Sequence, residues 1–394
     1  MYLPQIVILL FSLFSFISFK LEKNWTSPSF ITSTLWLIII TAYNYLPHEL
    51  YNLSNKFYYS LLLWVLPFCI FSSLFSKFNL KVPKILKQEF PNSNRIKALL
   101  NIMLITSTLL IFLLYKISQG SDSIAGTIRM LSINHELPTS ISFLMYIFTF
   151  GIVFIICYLL EKNINYSNKF KVLCILYLIL ILFQGNKGTI AQLMFATIYI
   201  LQFKNKLNKK IFITIISGCI FLMSAVVIFR NDAEDTTLIN YLLIYILSPL
   251  PAFDMVLNSE FVVSGGFPGS MTFAALFRIF DAVGVNIGIK QYQVDSWWVN
   301  VPLPTNVFTV MQTFYIDFGY LGIFFFSSLL GIVWGQLFNF TKRNIRVFVL
   351  IYALFFYWLF LTFFADYIFT FFSISIQMIF FSMLLYLKIT LRTK

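Results

Sequence analysis

Apolar runs long enough to cross a lipid bilayer recur almost from end to end of this chain, and a single long polar segment, residues 230–305, interrupts them. The runs lie near residues 3–19, 29–46, 57–76, 98–116, 139–160, 170–184, 188–203, 211–229, 312–338, 346–365 and 367–387. A hydrocarbon layer about 30 Å thick takes roughly 20 apolar residues in a helix, which satisfies its own backbone where water is absent. Only 11% of the residues are charged, against about a quarter in soluble domains. The expected fold is therefore an all-α polytopic membrane protein with about eleven transmembrane helices. Residues 1–229 would hold helices one to eight, residues 230–305 a large outward-facing loop containing short interfacial helices, and residues 306–394 helices nine to eleven. The first run lacks a basic start and a small-residue cleavage site, so it reads as a retained helix.

Placement explains the net charge of +13. Basic residues fall in every second loop: Lys20 and Lys23, then 77–97, 162–171, 204–210, 342–346 and the tail from Lys388. That side collects 21 of the 28 basic residues and three of the 15 acids, leaving +18 there and −5 opposite. The positive-inside rule makes the basic side cytoplasmic. The long loop then faces out, the C-terminus faces in, and nucleic acid is not needed to explain the charge. The four cysteines sit inside apolar runs without paired spacing and read as small apolar fillers.

Within the long loop, residues 238–257 are apolar but carry Pro249 and Pro251. They read as an interfacial or re-entrant helix, because a full crossing would put the following acids on the positive side. A glycine-rich turn at 265–269 leads to a short helix over 271–280, and Trp297, Trp298, Tyr292 and Pro302 follow, as in a chain lying at headgroup level.

Seven cations remain on the outer side: Lys56, Lys116, Arg129, Lys187, Arg230, Arg278 and Lys290. They are the candidates for binding an anion. Lys187 sits in a glycine-flanked turn at 184–189, where it either snorkels or meets a ligand approaching the backbone. Arg230 ends an apolar run beside Asn231, Asp232, Glu234 and Asp235. Its planar, permanently charged fork suits phosphate oxygens in a way lysine does not. Arg278 lies in an aromatic segment, either for a ligand or paired with Asp281 at i+3. Asp254, Asp317 and Asp366 are the acids nearest lipid, and a desolvated carboxylate among them would suit a general base. Asp317 alternatively caps the helix that follows it. Gly331 and Gly335 form a small-xxx-small packing face. Tyr315, Trp297 and Trp298 would stack on sugar rings or anchor the chain at the interface, and Lys290 completes the binding set. No metal cluster, nucleotide loop or Ser-His-Asp spacing is visible, so no cofactor is expected.

The layout, with Gly-Asn-Lys-Gly at 185–188, Leu-Ser-Pro-Leu-Pro-Ala-Phe-Asp at 247–254, Thr-Asn-Val-Phe-Thr at 305–309 and Tyr-Ile-Asp-Phe-Gly-Tyr-Leu-Gly at 315–322, resembles bacterial O-antigen and oligosaccharide repeat-unit polymerases of the Wzy type. The resemblance covers mainly residues 180–340, and the earlier half agrees only in hydropathy. It implies an inverting, metal-independent glycosyltransferase on the outer, periplasmic face of the inner membrane. The growing glycan would pass from undecaprenyl diphosphate onto an incoming lipid-linked unit, with a chain-length regulator protein as a further partner. By the same resemblance Arg230 and Arg278 would hold the diphosphate. Where the family's glycine-flanked turn commonly has arginine this chain has Lys187, and Gly288 comes one residue early for the arginine-ten-residue-glycine spacing after Arg278.

Three other functions compete. A lipid-linked oligosaccharide flippase would need charges lining a cavity within both halves, yet the first eight runs are nearly free of charge at their centres. An O-antigen ligase would favour a histidine in the large loop, and His48 and His135 both lie outside it. A polytopic acyltransferase usually keeps an intramembrane histidine.

Overall fold

The structure is a computed structural model that describes residues 3–82, 93–121, 123–133, 136–161, 167–229, 246–260, 267–282, 284–285, 298–302 and 304–386. Its helices are α1 (Leu3–Glu22), α2 (Pro28–Tyr45), α3 (Asn55–Phe75), α4 (Ser93–Ile117), α5 (Ile124–Ile133), α6 (Thr139–Glu161), α7 (Asn168–Gln184), α8 (Lys187–Phe203), α9 (Lys209–Phe229), α10 (Pro249–Leu257), α11 (Ala274–Ala282), α12 (Met311–Lys342), α13 (Arg346–Leu361) and α14 (Phe372–Tyr386). Two two-residue strands, β1 (Val299–Asn300) and β2 (Pro304–Thr305), pair antiparallel in a hairpin.

Each of the eleven apolar runs overlaps a helix. Among the described residues, five helices are long and apolar enough to cross a membrane: Leu3–Glu22, Asn55–Phe75, Arg95–Ile117, Thr139–Glu161 and Met311–Lys342. Two shorter apolar helices, α13 and α14, accompany them. Large apolar side chains stand exposed along these helices, as Leu321 at 80% and Ile105 at 69% do. Water would penalise such a surface and hydrocarbon does not, so the fold is that of an all-α membrane protein.

The chain forms two compact units. The first comprises Met1–Leu80, Thr236–Arg343 and Trp358–Ser373. Here α1, α2 and α3 pack together, and α12 runs along most of α3. Gly331 and Gly335 make that approach close: a Cβ on them would lie 2.7 Å from the Phe68 carbonyl oxygen and 2.5 Å from that of Ser72. They are the packing seam their spacing predicted. Hydrogen bonds line the same seam, from Ser327 Oγ to the Trp64 carbonyl (2.7 Å), Gln336 Nε2 to Phe75 (2.8 Å) and Asn339 Nδ2 to Ser76 (2.8 Å). The last two cap the carbonyl end of α3, whose final groups have no partner within the helix. At the same end Lys342 Nζ pairs with Glu22 at 2.8 Å.

The second unit comprises Lys81–Asp235, Asn344–Tyr357 and Ile374–Lys394. Here α4 packs on α6 and α7, and α8 on α6 and α9. Tyr177 fills the notch at Gly151, where a Cβ would meet its hydroxyl at 1.7 Å. Gln192, buried on α8, donates to the Leu354 carbonyl at 3.0 Å, and Tyr386 donates to Glu161 at 2.6 Å. The segment 117–138 contains α5. Its ten residues are too few to cross a bilayer, and Ala125 and Ile128 are buried on a unit whose nearest helix is α7.

Three boundaries differ from those read in the sequence. The prolines of the 238–257 run stand at a helix start: residues 246 and 247 are helical, Ser248 is a turn, and α10 begins at Pro249, where fixed φ and a missing N–H suit a first helical turn. The 271–280 helix begins only at Ala274, because residues 268–273 form turns. Helices α13 and α14 stop short of each other, leaving turns over 362–371 around Asp366.

Candidate functional site

The described parts of the 230–305 segment are tied to α3 and α12 by two carboxylates. Asp254, on α10, is 6% exposed. Its Oδ2 accepts the backbone N–H of Ser54 at 2.8 Å and its Oδ1 accepts the Ser54 hydroxyl at 2.5 Å. Ser54 is the residue that precedes α3, so the carboxylate acts on orphan donors at the start of that helix. Lys56 Nζ donates to the carbonyl of Leu257, the last residue of α10 (3.3 Å), closing a second tie between the same helices. Burial raises the Asp254 carboxyl above the usual carboxylate range, and the two Ser54 bonds and Lys56 pull it back only in part. With both oxygens engaged, Asp254 is built as a latch.

Asp317 makes the matching tie from α12. Its carboxylate accepts the backbone N–H groups of Met271 (3.2 Å) and Thr272 (2.6 Å). It does not cap the helix that follows it, the role its position in the sequence offered. It sits inside α12, two residues before Gly319, whose φ of 63° and ψ of −152° break the helix. That backbone state is open to glycine and strained for other residues. The carboxylate thus holds the turns ahead of α11, which begins at Ala274. Charge-assisted bonds of this kind are about twice as strong as neutral ones.

The other candidates are distributed as follows. Arg278 lies on α11, one turn beyond the tied segment, and its side chain, like that of Asp281, lies outside the described residues. Arg230, Lys290 and Trp297 also lie outside the described residues. Trp298, beside the hairpin, is 60% exposed and offers an open ring. Tyr315 does not: its ring packs edge-on against Phe253 of α10 (6.0 Å) and Tyr320 (5.2 Å). Lys187 belongs to the second unit and is the first residue of α8. Gly185 ends α7 in the left-handed state at φ 58°, and the Asn186 side chain accepts the Thr189 N–H at 3.3 Å. This turn presents an ammonium at a helix N-terminus, where the macrodipole also favours an anion.

The structure therefore brings Asp254, Asp317 and Tyr315 together in the first unit as supports of the 230–305 segment. Reading the sequence missed Ser54, the main-chain partners Met271 and Thr272, and the β1–β2 hairpin. The one available signal was Ser54 directly ahead of an apolar run, a helix-start pattern. Comparison with protein-family models, curated proteins and solved structures finds no match to this chain.

Proposed function

We propose that this chain polymerises lipid-linked oligosaccharide repeat units, transferring a growing glycan from undecaprenyl diphosphate onto the sugar of an incoming unit. The observation that carries the reading is the outer segment itself: an aromatic, arginine-bearing stretch set among apolar helices and latched to two of them by Asp254 and Asp317. In this proposal eleven helices cross a bacterial inner membrane, the segment faces the periplasm, and the C-terminus is cytoplasmic.

Arg230 and Arg278 are assigned to the diphosphate. The leaving group gains charge as the glycosidic bond breaks, and fixed cations in a dry site stabilise that transition state more than the ground state. Holding both lipid carriers side by side converts an encounter in the membrane into a positioned attack. Trp298 is assigned to stacking on a sugar, together with Trp297, and Lys187 and Lys290 to secondary anion contacts. A protein that regulates chain length is the expected partner.

The test is the surface glycan of a deletion strain. A single repeat unit in place of the ladder supports the polymerase. A full ladder overturns it, and complete loss of surface glycan transfers the assignment to a flippase. Loss of attachment to the lipid core, with chain length retained on the carrier, transfers it to a ligase.

A further inference from the structure

Asp366 was conspicuous in the sequence as an acid between two apolar runs, and the polymerase reading gives it no task. It is 3% exposed, in the turns between α13 and α14. One oxygen is occupied: Oδ1 accepts the backbone N–H groups of Ile368 (3.0 Å) and Phe369 (3.1 Å). The other, Oδ2, is buried without a hydrogen-bond partner among the described residues. The indole Nε1 of Trp64, on α3, is in the same condition, and that residue is 1% exposed. An acceptor and a donor are thus both unsatisfied, a costly state for buried polar groups.

Both residues line one cavity, within the first unit, whose walls also include Trp334, Trp358, Thr362 and Tyr367. Its volume is about 20 Å³, and roughly 10–15 Å³ suffices for one water-sized group. The size and the chemistry of the walls limit the occupant. An apolar group would leave both polar atoms unsatisfied. An anion would meet the carboxylate. A metal cation would want several oxygens, and the walls are mostly apolar and aromatic. A hydroxyl group donates one hydrogen bond and accepts another, which is what the two atoms require.

We propose that this cavity is a binding site for a single hydroxyl group, which donates to Asp366 Oδ2 and accepts from Trp64 Nε1. Burial pushes the Asp366 carboxyl up to about 6, and a hydroxyl also serves the protonated form, because its oxygen accepts from the acid and from the indole. Two sources share this chemistry: a resident water, or one hydroxyl of a saccharide whose ring stays outside. The inference does not rest on the polymerase reading.

The test is a structure of the purified full-length protein at a resolution that shows ordered water, with and without methyl β-D-glucoside. A density peak within hydrogen-bond distance of both atoms is expected. An isolated peak identifies water, and a peak continuous with the glycoside identifies a saccharide. An empty cavity, or one filled by a lipid or detergent tail, overturns the proposal. A double-mutant cycle of Asp366→Asn and Trp64→Phe on the unfolding constant is the second measurement. A shared bridge predicts a coupling of at least about threefold, and strict additivity overturns it.

Discussion

The α3–α12 seam makes a quantitative prediction through Gly335. A Cβ there would stand 2.5 Å from the Ser72 carbonyl oxygen, and one on Gly331 would stand 2.7 Å from that of Phe68. Real Cβ atoms essentially never come within 3.0 Å of such an atom, so the helices must part by at least 0.5 Å at Gly335 and 0.3 Å at Gly331. The obstacle is backbone on both sides and cannot rotate away. A gap of about 0.5 Å forfeits roughly a quarter of each dispersion contact along the seam. It also stretches the Gln336 and Asn339 bonds from 2.8 Å toward the long limit of about 3.2 Å for a good hydrogen bond. Together these place the cost of Gly335→Ala at about 1–3 kcal/mol, the usual range for overpacking. Gly331→Ala should cost less, and the double variant less than the sum, because one displacement relieves both clashes. Thermal unfolding of the protein in detergent micelles reads this directly. Gly218→Ala is the control: nothing lies within 4 Å of its Cβ, so helix propensity alone should raise stability by up to about 1 kcal/mol. If Gly335→Ala melts at or above wild type, or Gly218→Ala falls as far as Gly335→Ala, the close approach of these helices is not what the seam requires.

Further outcomes follow from the latches and the charges. Asp254→Ala leaves the half-buried Ser54 N–H without its acceptor and should destabilise by about 1–3 kcal/mol; Asp254→Asn, keeping one oxygen, should lose less in the same melt, and equal losses would refute the latch. Asp317→Ala should loosen residues 268–273, read as faster amide exchange at Met271 and Thr272, while exchange on α3 stays unchanged. Arg230→Ala and Arg278→Ala should each abolish polymerisation at normal protein level, with Arg→Lys rescuing poorly; wild-type ladders from both alanine variants would remove these residues from the site. For Asp366 the folded chain holds its proton up to about pH 6, against 3.8 as the ordinary value. Stability should therefore fall as pH rises from about 4 to about 6 and level off above, by about 3 kcal/mol in all. Asp366→Asn should flatten that slope, and an unchanged slope would assign it to another group.

How the chain divides into helices was legible because hydropathy is a local property. Each apolar run became a helix wherever it stood, since a helix closes its backbone hydrogen bonds within itself. The seam was legible for the same reason, as Gly331 and Gly335 lie four residues apart on one face. The acids were not. Asp254 and Asp317 looked like catalytic candidates because a carboxylate near lipid needs an explanation, and the sequence shows only that the need exists. The structure answers it with backbone N–H groups of Ser54, 200 positions away, and of Met271 and Thr272. Main-chain donors leave no mark on composition or periodicity.

By itself, then, the sequence determined that this chain is a set of helices apolar enough for a membrane, and where its one long polar segment falls. Tertiary structure decided which helices meet, where α12 breaks, what each buried carboxylate binds, and that Asp366 and Trp64 share a cavity. The first group follows from the free energy of transferring short stretches out of water, residue by residue. The second depends on pairs of groups far apart in the chain, whose meeting is fixed only when the whole unit has packed.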